Sequence, residues 1–317
     1  MKRDRAQQRL DQLRSLRSAP VTPQSREIIA SALADASNVV AARAAALVEE
    51  LQLRELTTDL LTAFGRFLGG NDKACDASNA IAKALYALDF TEPEPYLLGV
   101  HHVQMEGSYG PPVDAAAELR GVCAMGLAQT KHDGVLEELA VLLNDAWPGP
   151  RLAAAKAIGC CNQAAGIPLL LFKVLIGDKE PDVITECLIS LLALSIPRTL
   201  TFVAEQLSSH DDARAESAAI ALGAVRDDRA FEVLRAKWDA TAFGEIRGAL
   251  LTAMASSRNE RAIQFLVSMI ASEPVRTAAM AVKALGMHRH DERIRTLVQN
   301  AAAARPELAA TIRAEFG

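Results

Sequence analysis

Aromatic side chains are scarce in this chain, 4% of 317 residues, although half of all residues are hydrophobic. The apolar character is carried by alanine and leucine, which form and pack helices well, so the composition points to an all-α fold. No C-x-x-C pair occurs among the five cysteines, Cys75, Cys123, Cys160, Cys161 and Cys187. Zinc and dithiol frameworks are therefore not indicated, and the cysteines read as small buried residues in a reducing compartment. There is no Walker-type phosphate loop and no G-x-S-x-G elbow. No apolar run approaches 18 residues, and no apolar stretch follows the basic N-terminus MKRDRAQQRLDQLRSLR. The expectation is a cytoplasmic protein without membrane insertion. Positive charge is also short, with 34 Lys and Arg against 39 Asp and Glu and a net charge of -5. Nucleic acid, which demands a strong positive field, is not an expected partner.

What the sequence does contain is a repeat. The stretches RLAAAKAIG, AESAAIALG, RGALLTAMA and TAAMAVKALG end at Gly159, Gly223, Ala255 and Gly286, with weaker copies ending at Gly126 and near Leu192. Successive ends lie 31 to 33 residues apart. A second landmark keeps the same period: an apolar pair at positions 0 and +3, namely Leu136/Leu139, Ile167/Leu170, Leu200/Val203, Phe231/Leu234, Ile263/Leu266 and Ile294/Leu297. Each unit reads as helix A, a turn, helix B and a loop, with Asp, Asn and Gly in the turns and Pro at helix entries.

The units are regular over residues 114–300 and degenerate over 37–113, where the segment EGSYGPPVD, residues 106–114, reads as an insertion. Residues 1–36 and 301–317 are expected to cap the ends of a single array, because terminal repeats must present a polar outer face.

This pattern resembles the HEAT-repeat superfamily, in particular the short bacterial type similar to the phycobilisome (PBS) lyase HEAT-like repeats. The resemblance covers roughly residues 37–300 and implies a right-handed α-α superhelix of about eight two-helix repeats. In that family an arginine precedes the alanine-rich run; Arg151 and Arg247 match in register, while Arg120, Arg214 and Arg276 are shifted by one or two positions. By resemblance these arginines are structural, pairing with loop acids such as Asp145 or with backbone carbonyls. The fold serves many tasks. A bilin lyase or isomerase-like subunit is one alternative it implies, and a HEAT-like DNA-binding protein is another. Trp147, in a loop beside Pro148, is available to stack on bases, whereas Trp238 falls at +7 on the core stripe of its B helix, where packing explains it better.

Candidate chemistry is thin. The dipeptides His132-Asp133, His210-Asp211 and His290-Asp291 fall on alternating turns, so each Asp is expected to cap the next helix instead of joining a metal site. There is no His-Glu dipeptide, which counts against the di-iron chemistry of the deoxyhypusine hydroxylases, another HEAT family. His102 and Glu106, four residues apart, would share one helix face, but a metal site needs three or four ligands. No catalytic residue, metal or cofactor is assigned.

The expected function is therefore a non-catalytic protein-protein interaction scaffold or assembly factor binding another protein. In HEAT-type solenoids the B helices line the concave surface. Position +2 of those helices reads Glu138, Leu169, Phe202, Val233, Phe265 and Thr296, an apolar strip over four consecutive units. Positions +1 and +5 face solvent, and Phe172 at +5 is out of place there. Phe172, Lys173, Leu169, Phe202 and Phe265 are the candidate partner-binding residues, with Tyr109 in the insertion as a second site.

Overall fold

The computed structural model describes residues 2–70, 72–130, 132–242 and 244–317, with the side chains of 2–4 excepted. Helices dominate, in the order α1 (Lys2–Leu16), α2 (Pro23–Leu33), α3 (Asn38–Glu50), α4 (Thr57–Leu68), α5 (Asp76–Ala87) and α6 (Glu94–Val100). A short hairpin, β1 (Met105–Glu106) and β2 (Val113–Asp114), precedes α7 (Ala117–Gln129), α8 (Val135–Leu142), α9 (Pro148–Cys160) and α10 (Ile167–Ile176). Then follow α11 (Pro181–Leu207), α12 (Asp212–Gly223), α13 (Asp228–Ala240), α14 (Ile246–Ser256), α15 (Glu260–Ser272), α16 (Val275–Leu285), α17 (Glu292–Ala302) and α18 (Ala309–Phe316). With α11 counted as two helices, α3 through α17 make eight A/B pairs in chain order.

The helices group into two compact units, Met1–Gly166 and Ile167–Gly317. In the first, α3, α5, α7 and α9 pack in series, and α2, α4 and α6 form a parallel row. In the second, α11, α12, α14, α16 and α18 form one row while α11, α13, α15 and α17 form the other. Helix A thus stacks on helix A and helix B on helix B. The A row is the drier one: Val40, Ala41, Ala44, Ala45, Leu47 and Val48 of α3 are all fully buried, as are Ala218, Ala219, Ala221 and Leu222 of α12. Alanine is the residue that lets backbones approach on two sides of one helix, which explains the scarcity of large aromatics. Gly126 carries this further, since a Cβ there would collide with the buried Tyr96 ring on α6.

The turns carry recurring chemistry. Gln52, Asp89, Asn162 and Arg258, each just past the end of an A helix, adopt left-handed backbone, with φ between 48° and 56°. After α3 and α5 the next amide reaches back to close the helix end, Leu53 N–H to Val48 C=O and Phe90 N–H to Leu85 C=O. Asp211, Asp227, Asn259 and Asp291 accept hydrogen bonds from the first amides of α12, α13, α15 and α17. Two of the three His-Asp dipeptides therefore cap as expected; Asp133 does not, because Gly134 holds that position before α8.

By length and composition α11 is able to cross a membrane, contrary to the expectation that no apolar run is long enough. Its backbone is broken at Ser195, where φ is -169° and ψ 95°, and Pro197 follows within the first turn of the second half. The Thr199 hydroxyl bonds to the carbonyls of Leu191 and Ser195, covering acceptors that the break leaves free. The two halves serve as the A and B helices of one repeat, and Val183, Cys187, Leu188, Leu191, Val203 and Leu207 are buried in the protein.

Candidate protein-binding surface

Arginines tie neighbouring repeats together at their helix ends. In the first unit Arg66 donates to the carbonyls of Leu33, Ala34 and Asp35 at the end of α2, and Arg54 to that of Leu88 after α5. In the second unit Arg214 donates to Val174 C=O, Arg247 to Trp238 C=O, and Arg305 to the carbonyls of Ile270 and Glu273. Each places a cation where a helix C-terminus exposes unpaired carbonyls. Arg151 bonds to the carbonyls of Asp145 and Ala146, whereas Arg276 is exposed and takes no part. Trp238 is buried and Arg247 stacks on its ring at 3.5 Å, so that indole has no face to offer a base.

Arg120 departs from the ladder. Its guanidinium is held between two carboxylates, 2.6 Å from Asp114 and 2.8 Å from Asp145, and also bonds to His102 C=O. The Arg120 and Asp114 side chains are 4% and 3% exposed. Burial pushes the Asp114 carboxyl up, but bonds from Gln104 N–H, Arg120 and Ala116 N–H outweigh it and hold its pKa below the ordinary carboxylate range. This cluster anchors the inserted segment, which is an ordered antiparallel hairpin with Met105 opposite Asp114. On its other side Gln104 donates to Asp72 C=O, and Glu106 accepts from Ala74 N–H. His102 and Glu106 do not share a helix face, because α6 ends at Val100 and Glu106 lies in β1. An open cleft of about 570 Å³ results, walled by Val103, Met105 and Trp147 over Arg120. Tyr109 projects fully into solvent from the hairpin loop.

The cysteines are mostly out of reach of thiolate chemistry. Burial, with nearby carboxylates, pushes Cys75 up to about 12, and burial alone raises Cys123 further. Cys187 is likewise raised to about 12, mainly by burial, and Cys161 to about 11. Only Cys160 is exposed. Among the described residues no group of three or more His, Cys, Asp or Glu is arranged to hold a metal ion.

Helix α10 carries the most apolar exposed face. Ile167, Leu170 and Val174 are buried, while Phe172, Leu175 and Ile176 on the opposite side are 65%, 64% and 59% exposed. The sequence singled out Phe172 but missed Leu175 and Ile176, because in IPLLLFKVLI the apolar run is nearly continuous and its period does not say which side faces solvent. Lys173 is not on that surface. It is 7% exposed and its ammonium lies 2.8 Å from Asp178, an ion pair that tucks the side chain against the protein. The +2 residues Leu169, Phe202, Val233 and Phe265 are half-buried. Phe265 packs on Phe231 with ring centroids 6.0 Å apart, and Arg235 lies over its other face. Phe265 of the +2 strip is thus engaged in inter-repeat packing, and among the helices α10 exposes the most large apolar side chains, while the hairpin segment exposes Val103, Met105, Tyr109 and Val113.

No protein-family model matches this sequence, and no curated protein matches it. Solved structures do. One is the complex of CpcE and CpcF of phycocyanin lyase from Nostoc sp. PCC7120, at 16% identity over 90% of this chain and 96% of that chain, with a TM-score of 0.37. Another is an engineered protein at 16% identity over 98% and 93% of the two chains, with a TM-score of 0.36. The period, the A-on-A and B-on-B rows and the arginines at the helix ends decide the architecture. The repeats are paired helices stacked A on A and B on B, the arrangement of an α-solenoid. In a HEAT-like array position +5 of helix B faces outward, and here Thr201, Glu205, Glu232, Ala236, Gln264 and Ser268 at +1 and +5 are exposed, mostly polar or small residues. Large apolar groups fill position +5 in two repeats, Val141 of α8 at 69% exposure and Phe172 of α10 at 65%, and on α10 Leu175 and Ile176 extend that surface.

Proposed function

We propose that the protein is a non-catalytic, cytoplasmic binding scaffold that receives an apolar segment of a partner protein on the exposed face of α10. The observation that carries this reading is the cluster Phe172, Leu175 and Ile176, at helical spacings of three and four, each more than half exposed. The only charged residue of α10 is Lys173, and its charge is withdrawn into the pair with Asp178. A patch without charge and with three large side chains costs hydration free energy when open and regains it when covered. A large aromatic beside two aliphatics suits a groove-binding helix or an extended apolar segment.

Affinity capture of the wild-type protein and of Phe172→Asp from the native cell, with quantitative mass spectrometry, tests the reading. The variant residue is exposed, so its stability should stay within about 0.5 kcal/mol of wild type. A specific partner should fall at least tenfold in recovery with the variant. Undiminished recovery by a folded variant overturns the assignment to α10.

A further inference from the structure

A second surface, on the A row of the second unit, has the opposite character. Asp212, Glu216 and Ile220 lie four residues apart on one face of α12, and α14 faces them with Ile246, Ala249 and Ser256, preceded by Glu245. The two helices are drawn together at one end, where Ser256 Oγ bonds to Gly223 C=O at 3.1 Å and a Cβ on Gly223 would stand 2.7 Å from the Ala253 carbonyl oxygen. Toward their N-terminal ends they leave a groove of about 770 Å³. Its interior is apolar, with Ile220 47% exposed and Ile246 and Ala249 half-buried, and its rim holds the three carboxylates.

Among the described residues those carboxylates have no side-chain counter-charge. No basic residue lines the groove, and among the described residues Asp212, Glu216 and Glu245 make no ion pair. The B row of the same unit treats its charges differently. Arg261 pairs with Glu232 and Arg293 with Glu260, each linking one repeat to the next. Arginine is thus available and is used elsewhere to neutralise acids, while the three rim acids are left to repel one another beside an apolar floor. Asp212 and Glu245 lie at the N-termini of α12 and α14, where the helix dipole offsets part of their charge, but among the described residues no side-chain cation faces the three acids, so a cation brought to this rim gains Coulomb energy.

We propose that this groove is a docking site for a cationic amphipathic segment of a partner protein, with an apolar side chain seated between Ile220 and Ala249 and lysines or arginines on Asp212, Glu216 and Glu245. The inference is independent of the α10 surface. The test uses a fluorescein-labelled synthetic amphipathic helix of lysine and leucine as probe, and its glutamate-leucine counterpart as control, read by fluorescence anisotropy. The cationic probe should bind the full-length protein at least tenfold more tightly than the acidic one. That binding should weaken as salt rises, and fall at least tenfold in the double variant Glu216→Lys/Glu245→Lys, whose exposed sites leave the melting temperature unchanged. Phe172→Asp should leave it intact. Equal binding by the double variant, or loss of binding in Phe172→Asp alone, overturns the proposal.

Discussion

At the residue scale the most demanding feature is the buried Arg120 with Asp114 and Asp145. Removing one partner from such a cluster strands the others away from water, so Arg120→Ala should cost about 3–5 kcal/mol in urea unfolding. The Asp114 pKa is depressed on folding, chiefly because two backbone amides and Arg120 overcome the effect of burial. A depressed carboxyl adds stability above its unfolded pKa of about 3.9 and loses that contribution as pH falls through the lower folded value. Asp114→Asn should therefore be less stable than wild type near neutrality, with the gap closing as pH falls below about 4. Unfolding curves at the two pH values check this. The family resemblance implied that the arginine ladder, Arg120 included, pairs with loop acids such as Asp145 or with backbone carbonyls. It did not single out Arg120, because Asp114 belongs to a hairpin that interrupts the repeat and so has no period to betray it, although it lies only six residues from Arg120.

At the scale of elements the A helices are defined by how closely they approach. Gly223 closes α12 onto α14, and its Cβ would meet backbone atoms that cannot rotate aside. Gly223→Ala should destabilise by about 1–3 kcal/mol and lower the melting temperature, even though alanine is the better helix former. Gly65, inside α4, is the control: a Cβ there meets nothing within 4 Å. Gly65→Ala should stabilise by up to about 1 kcal/mol, and calorimetry on the two variants would show opposite signs. The recurring final glycine of the repeat phrase was visible in the sequence; at Gly223 its cause is this helix-to-helix contact, and at Gly126 it is the Tyr96 ring. The division of α11 was also foreshadowed, since the repeat requires two helices there and Pro197 falls at the entry of the second. Only the structure shows that Thr199 covers the break and that the apolar stretch runs on as one long segment.

At the scale of the whole molecule, stability in a stacked array comes from nearest-neighbour contacts, so inner elements are held on two sides and outer ones on one. Hydrogen exchange should then be slowest within each unit in the buried A helices, α5 and α7 in the first and α12 and α14 in the second. It should be fastest in α1 and α18, where opening breaks the fewest contacts. Mass-spectrometric exchange on peptic fragments reads this directly. Uniform protection along the chain would contradict the repeat-by-repeat picture.

The sequence by itself determined the helical class, the period of about 32 residues, the pairing of A and B helices, and the capping roles of Asp211 and Asp291. These follow from local chemistry: side-chain periodicity, helix propensity and turn residues act within a few positions of one another. Tertiary structure alone decided that Lys173 turns inward, that Leu175 and Ile176 join Phe172 in solvent, and that three acids from two helices face one groove without a cation. Each depends on which side of a nearly uniform helix the neighbouring repeat covers, and on charges brought together from residues some thirty positions apart.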